Sequence, residues 1–150
     1  MTLALRHAAL GLALALACGL AAAQATPAGL WKTVDDSTKK EKSLVRIVES
    51  GGVYTRKVEK IIDPDSPKDA VCKDCTDDRK DKPVVGMTII RNMKASGDKD
   101  VFEGGDILDP NNGKVYSAKL TLVDGGKKLD VRGYVGTPLL GRTQTWQRVE

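Results

Sequence analysis

Histidine is almost missing from this chain. The single one, His7, sits in an N-terminal stretch that reads as a removable leader. Its loss excludes Ser-His-Asp and Cys-His catalysis, His-ligated zinc and the usual imidazole pH switch from the remainder. An enzyme would have to work with carboxylates, lysine, tyrosine or a thiol, and no such group stands beside a visible partner. The sequence therefore points away from catalysis and assigns no catalytic residue, no metal ligand set and no cofactor. Basic runs are scarce too. The formal net charge is +4, with Arg6 of the leader accounting for one unit, and the charges are mixed in sign along the chain. No basic stripe with interleaved aromatics is present, so nucleic acid is not an expected partner.

Residues 1–25 have the layout of a secretory signal. Arg6 and His7 form a short positive region, Ala8 to Leu20 an uncharged apolar core, and Ala21-Ala22-Ala23 and Ala23-Gln24-Ala25 two small-x-small exits. The uncharged run from Ala8 to Ala23 is 16 residues long, below the ~18 expected of a spanning helix. Export to the periplasm or medium is expected, with the mature chain starting near Gln24 or Thr26 and no stable membrane insertion after cleavage. Lipidation at Cys18 is the alternative. It fits less well, because the position three residues earlier is Ala15 rather than Leu, Val or Ile, and the apolar run continues to Leu20. Residues 26–150 are then one domain by size.

Strand signals dominate that domain. Segments rich in Val, Ile, Thr and Tyr span Leu30–Val34, Ser43–Glu49, Val53–Ile62, Val84–Met93, Val101–Leu108, Val115–Val123, Lys128–Val135 and Arg142–Val149. Ser50-Gly51-Gly52, Asn111-Asn112-Gly113 and Asp124-Gly125-Gly126 punctuate them as hairpin turns. Gly104-Gly105 falls inside a strand, where paired glycines mark a bulge or bend. Eight short antiparallel strands would leave exposed edges unless the sheet closes, and eight strands suffice for a barrel that is filled or holds one small ligand. An up-and-down barrel is the expected fold, with a two-sheet sandwich as its alternative.

One connection is not tight. Asp63–Pro83 carries seven aspartates, five Lys/Arg and three prolines, a composition that suits a solvated charge run. It also carries Cys72 and Cys75, the only cysteines beyond the leader. In an oxidising compartment the simplest reading is a small structural disulfide. A redox or copper role, or free thiols, remain open, although Asp74, Asp77 and Asp78 would raise a thiol pKa rather than lower it. Zinc would need two further ligands, and the regular acidic spacing of a calcium loop is missing.

The C-terminal strand is unusually rich in hydrogen-bonding groups. Period-two alternation puts Arg142, Gln144, Trp146 and Arg148 on one face. If Trp146 points inward, an inward arginine must be paired, or meet water or a ligand. In a closed barrel the first and last strands are neighbours, so Trp31 can lie near Trp146 and Arg148. Barrel closure by Trp31, Trp146 and Arg148 is one reading; a polar pocket in which Arg132 and Arg142 hold an acidic group is the other.

Gly29-Leu30-Trp31, the Cys72/Cys75 pair, Gly104-Gly105-Asp106-Ile107-Leu108-Asp109-Pro110, Gly113-Lys114-Val115-Tyr116, Val131-Arg132-Gly133-Tyr134 and Gly141-Arg142-Thr143-Gln144-Thr145-Trp146 follow one another in order. In these the chain resembles the bacterial exported family catalogued as domain of unknown function 2147, across essentially the whole mature sequence. The resemblance implies a lipocalin-like barrel and brings no established activity. The opening Gly-x-Trp and a closing arginine are also similar to the lipocalin pattern at the closed end of the barrel. Arg56, Lys57, Glu103 and Lys119, charged residues within strand runs, argue against a large wholly apolar cavity.

Three functional expectations follow. The first is a non-enzymatic barrel binding a small acidic or amphipathic molecule near Arg132, Tyr134, Arg142, Gln144 and Trp146. The second is a structural or interaction protein of the envelope, with a lumen packed solid by Trp31, Phe102 and Trp146 and the Asp63–Pro83 loop as contact surface for a protein partner. The third is a Cys72/Cys75 thiol-redox or metal-handling protein. Lumen volume separates the first two, since a ligand site needs ~300 Å³ or more.

Overall fold

The computed structural model describes residues 25–150; the leader up to Gln24, with its exit sites and Cys18, lies outside the described residues. Eight antiparallel strands follow in order: β1 (Gly29–Val34), β2 (Glu41–Ser50), β3 (Val53–Ile61), β4 (Thr88–Ala95), β5 (Val101–Asp109), β6 (Lys114–Val123), β7 (Lys128–Tyr134) and β8 (Arg142–Arg148). Each pairs with its sequence neighbours, and β1 pairs with β8, so the sheet closes into a barrel. Closure removes the two exposed edges that an open sheet would carry. The only helical segments among the described residues are two single 3₁₀ turns, Asp124–Gly126 and Pro138–Leu140.

Alternation directs side chains into the lumen. On β3 Tyr54, Arg56 and Val58 are buried in alternation, with Ile61 buried at the strand's end, while Lys57 and Glu59 face out. Charged residues on the outer face are unlike the apolar band of a lipid-embedded barrel. Within the described residues no helix is long and apolar enough to cross a membrane.

One half of the lumen is filled. Trp31, Leu129, Leu120, Leu122 and Phe102 pack there, with Tyr54 edge-on to Phe102 at 5.0 Å between ring centres. Each fully buried aliphatic or aromatic side chain contributes ~1.5–3 kcal/mol relative to exposure. The same end carries the β2–β3, β4–β5 and β6–β7 turns and both ends of the described chain. Arg148 fastens them: its Nε donates to Gly126 O (2.6 Å), Nη1 to Ala28 O (2.8 Å) and Nη2 to Thr26 O (2.6 Å).

Gly104 and Gly105 form the expected irregularity. Pairing between β5 and β6 slips between Phe102 and Gly105, and Gly104 takes φ +83°. A Cβ on Gly105 would lie 2.2 Å from the Arg91 carbonyl oxygen, so the strands approach where only glycine fits.

Strand β4 begins later than the hydrophobic run suggests. Val84 to Met87 still belong to the preceding connection, turning through a Met87 N–H to Val84 O bond, with Gly86 N–H donating to Val58 O. That connection is ordered despite its composition. Val71 bridges Pro83, Val84 N–H donates to Ala70 O, and Cys72 N–H to Lys82 O. Arg79, buried at 4 % exposure, clasps Asp77 and donates to Thr88 O (3.0 Å), tying the loop to the barrel rim. Cys72 and Cys75 form a disulfide and both are buried.

Candidate functional site

The connections β1–β2, β3–β4, β5–β6 and β7–β8 surround the other end of the barrel, which is open. Beneath them lies a cavity of about 650 Å³. Trp31 and Phe102 fill the closed half without extending to this volume, and Trp146 forms part of the cavity's wall. The lumen is therefore not packed solid, and the premise of a filled barrel does not hold. Its volume is ordinary for a small-molecule site.

The walls mix apolar and polar side chains. Val58, Ile89, Ile107, Leu108 and Val131, from four different strands, border the cavity, and alternation places Val58, Ile107 and Val131 inward. At the inner end Arg56 reaches the cavity from β3. Its neighbours in register are Ile47 on β2 and Ile90 on β4, both buried and apolar. The guanidinium carbon sits 4.3 Å from the centre of the Trp146 ring. Arg56 is 6 % exposed, and its Nε has no hydrogen-bond partner. Burial pulls its pKa down to about 9, which leaves it cationic at neutral pH. Trp146 in turn donates its indole N–H to Gln144 Oε1 (3.2 Å), which fixes that amide with its NH₂ group as the remaining donor.

Polar groups gather toward the mouth. Thr33 and Ser43 share a hydroxyl hydrogen bond of 2.9 Å. Arg142 pairs with Asp36, its Nε at 2.7 Å from Oδ2, and lies near Asp35. Asp35 is held well below the ordinary carboxylate range by Ser37 Oγ–H, then by the N–H and hydroxyl of Thr38; Asp36 is lowered chiefly by Arg142. Lys42 pairs with Asp63, whose carboxyl is pushed down by that lysine and by bonds from Asp65 N–H and Ser66 Oγ–H. Asn112 donates to Tyr116 Oη (3.2 Å) at the β5–β6 hairpin.

The structure brings Tyr134, Arg142, Gln144 and Trp146 to the cavity. Arg132 does not join them. Leu129, Val131 and Gly133 take the inward positions of β7, so Arg132 projects outward. It donates to Pro138 O, Leu139 O (3.5 Å) and Thr143 Oγ1 (2.7 Å), bracing the β7–β8 loop from outside. Arg148 lies on the same face as Trp146 but at the closed end, 4.2 Å from the centre of the Trp31 ring. Trp31 donates its indole N–H to Pro27 O (2.8 Å).

Arg56 is the residue that sequence reasoning passed over. Its charge within a strand counted against an apolar cavity, whereas the cavity exists and Arg56 is the charged group at its inner end. The signal was present: Tyr54 and Val58 flank it at period two, which places it inward. The disulfide sits elsewhere, between the β3–β4 loop and the β5–β6 hairpin, with Cys72 Sγ 3.6 Å from Pro110 O. Among the described residues no group of three or more His, Cys, Asp or Glu side chains is arranged to hold a metal ion.

A closed eight-stranded barrel, one end sealed by an Arg–Trp pair and the other opening into a lined lumen, defines a lipocalin-like fold. A family model described as "Uncharacterized protein conserved in bacteria (DUF2147)" matches residues 29–148, and the chain belongs to that family. Among solved structures it is similar to HP1028 of the human pathogen Helicobacter pylori, described as belonging to the lipocalin family. The two share 19 % identity over 85 % of each chain, with a TM-score of 0.72, a likeness of fold. No curated protein sequence matches the chain.

Proposed function

We propose that this protein is an exported, non-catalytic binding barrel that holds a small acidic or amphipathic molecule in its lumen. The observation that carries the reading is the open cavity of about 650 Å³, with apolar side chains along its walls and polar groups at its inner end and mouth. Closure does not require this volume, because the Arg148–Trp31 pair and the packed half already seal the barrel. Tyr134 and Arg142 would contact the ligand near the mouth and Gln144 and Trp146 deeper in, while Arg132 would act only through the β7–β8 loop.

The experiment is native mass spectrometry of protein purified from its own host, followed by fluorescence titration with whatever co-purifies. A bound small molecule that alters Trp146 emission supports the reading. An empty barrel that takes up no amphipathic probe overturns it.

Export rests on the leader. A start near Gln24 or Thr26 would keep the contacts of Thr26 O with Arg148 and of Pro27 O with Trp31. Intact mass of the exported protein should give a start near Gln24 or Thr26. A full-length mass, or a diacylglyceryl group on Cys18, would overturn this.

A further inference from the structure

Three cations reach the cavity: Lys42, Arg142 and Arg56. Two are neutralised in place, Lys42 by Asp63 and Arg142 by Asp36 and Asp35. Arg56 is not. Its surroundings are Ile47, Ile90 and the Trp146 ring, and it makes no salt bridge to any described carboxylate. A cation–π contact offsets only part of the cost of burying a guanidinium, ~2 kcal/mol or somewhat more when desolvated. An unpaired buried charge is otherwise among the most destabilising features a fold can carry. Here the charge faces the open cavity of the barrel, so its counterion can arrive from outside.

We infer that the ligand is a monoanionic amphiphile that enters head first, its carboxylate pairing with Arg56 at the inner end of the lumen and its apolar chain running back along Val58, Ile107 and Val131 to the mouth. This deepens the proposed lumenal binding and rests on it. One cation without a partner calls for one negative charge. A planar carboxylate suits the guanidinium fork, and such a pair is strongest where water is excluded. The remaining NH₂ donor of Gln144, set by the Trp146 indole, stands on the same wall and offers a neutral hydrogen bond beside the charged one.

The mouth fits the opposite end of such a molecule. Val135 and Leu140 border the cavity while being 69 % and 79 % exposed, so the exit of the lumen is itself partly apolar. Asp35 and Asp109 also line that outer part, which disfavours leaving a carboxylate there. A tail-first molecule would put its anion beside these carboxylates and leave Arg56 against hydrocarbon.

The test uses the exported, mature protein and three probes: dodecanoate, dodecanol and the neutral dye N-phenylnaphthylamine. The dye reports whether the lumen takes up apolar molecules, and displacement of the dye ranks acid against alcohol. Head-first binding predicts that dodecanoate displaces the dye at a concentration ~10-fold or more below that of dodecanol. In Arg56→Met this acid-to-alcohol preference should fall to within about twofold of unity, and Arg56→Lys should keep part of it. Equal displacement by acid and alcohol in the unaltered protein, with dye bound, overturns the head-first inference and leaves lumenal binding intact. An unchanged acid preference in Arg56→Met also overturns it. Failure of the unaltered protein to bind dye, acid or alcohol overturns both. Should Arg56→Met not fold, the acid-against-alcohol comparison in the unaltered protein decides alone.

Discussion

Arg148 and Trp31 stack at 4.2 Å at the closed end of the barrel, and Arg56 and Trp146 stack at 4.3 Å inside it. The two pairs look alike and do different things. Arg148 gives its N–H groups to three backbone carbonyls, those of Thr26, Ala28 and Gly126, and joins the first strand, the last strand and the β6–β7 turn. Among the described residues Arg56 has no carboxylate partner and its Nε is unpaired. One arginine is a structural rivet; the other faces a void.

Arg148→Met should therefore destabilise the fold, by roughly 2–4 kcal/mol from lost charge-assisted hydrogen bonds and the cation–π contact. Urea unfolding followed by tryptophan fluorescence reads this directly. Arg148→Lys should recover only a minor part, because one ammonium cannot reach three carbonyls in different directions. A loss below about 0.5 kcal/mol would mean that closure depends on strand pairing alone.

The glycine pair of β5 separates space from backbone conformation. Gly104 has φ +83° with open space where a Cβ would go, whereas a Cβ on Gly105 would meet Arg91 O at 2.2 Å and Met93 Sδ at 2.6 Å. Gly104→Ala should cost about 1 kcal/mol, the strain of the left-handed region alone. Gly105→Ala should cost about 3 kcal/mol or prevent folding, since backbone must move. Comparing the two urea midpoints checks this, and equal effects would contradict it.

How much of this could be read from residues alone depended on range. The strands, their order and the inward face of β8 follow from alternation and turn chemistry, both local. Arg132 was misplaced because the tail was weighed by composition; the apolar Leu129 and Val131 beside it already assign it to the outer face. The late start of β4 was missed because Val84 and Val85 extend the apolar run, while the hydrogen bonds of Gly86 and Met87 keep them in the loop. Least legible was the docking of the β3–β4 loop on the β5–β6 hairpin. Gly113 takes φ +70° and leaves no room for a Cβ, which would lie 2.0 Å from Asp74 O. A turn glycine is readable in Asn112-Gly113; its second duty against a residue 39 positions away is not.

That docking bears on the disulfide. Cys72 and Cys75 close a loop of separation three, for which the chain-entropy estimate is only ~2 kcal/mol. The bridge should hold the loop against the hairpin more than it holds the barrel. The double variant Cys72→Ala with Cys75→Ala is expected to keep its far-ultraviolet circular dichroism and lose about 2 kcal/mol or less. Limited proteolysis should then cut between residues 69 and 82, a segment that should resist cleavage in the oxidised protein. Collapse of the barrel, or no change in cleavage, would contradict this assignment.

Acid should unfold the protein through the carboxylates at the mouth and rim. Asp63, Asp35 and Asp36 all sit below the ordinary carboxylate range, and Arg79 holds Asp77 at about 2. For a depressed folded pKa, the unfolded chain takes up protons first as pH falls. The stabilisation is thus complete above the unfolded value of ~3.9, and is lost as pH drops toward the folded values. Urea midpoints should be flat from neutral pH to about 5, fall below about 4 and keep falling to about 2. Asp63→Asn removes the carboxylate that accepts from Lys42, Asp65 and Ser66. Its midpoint should be lower at pH 7 and its acid limb shallower, so that the gap between the two proteins narrows as pH falls below about 4. Parallel curves would show that Asp63 takes no part in the acid transition.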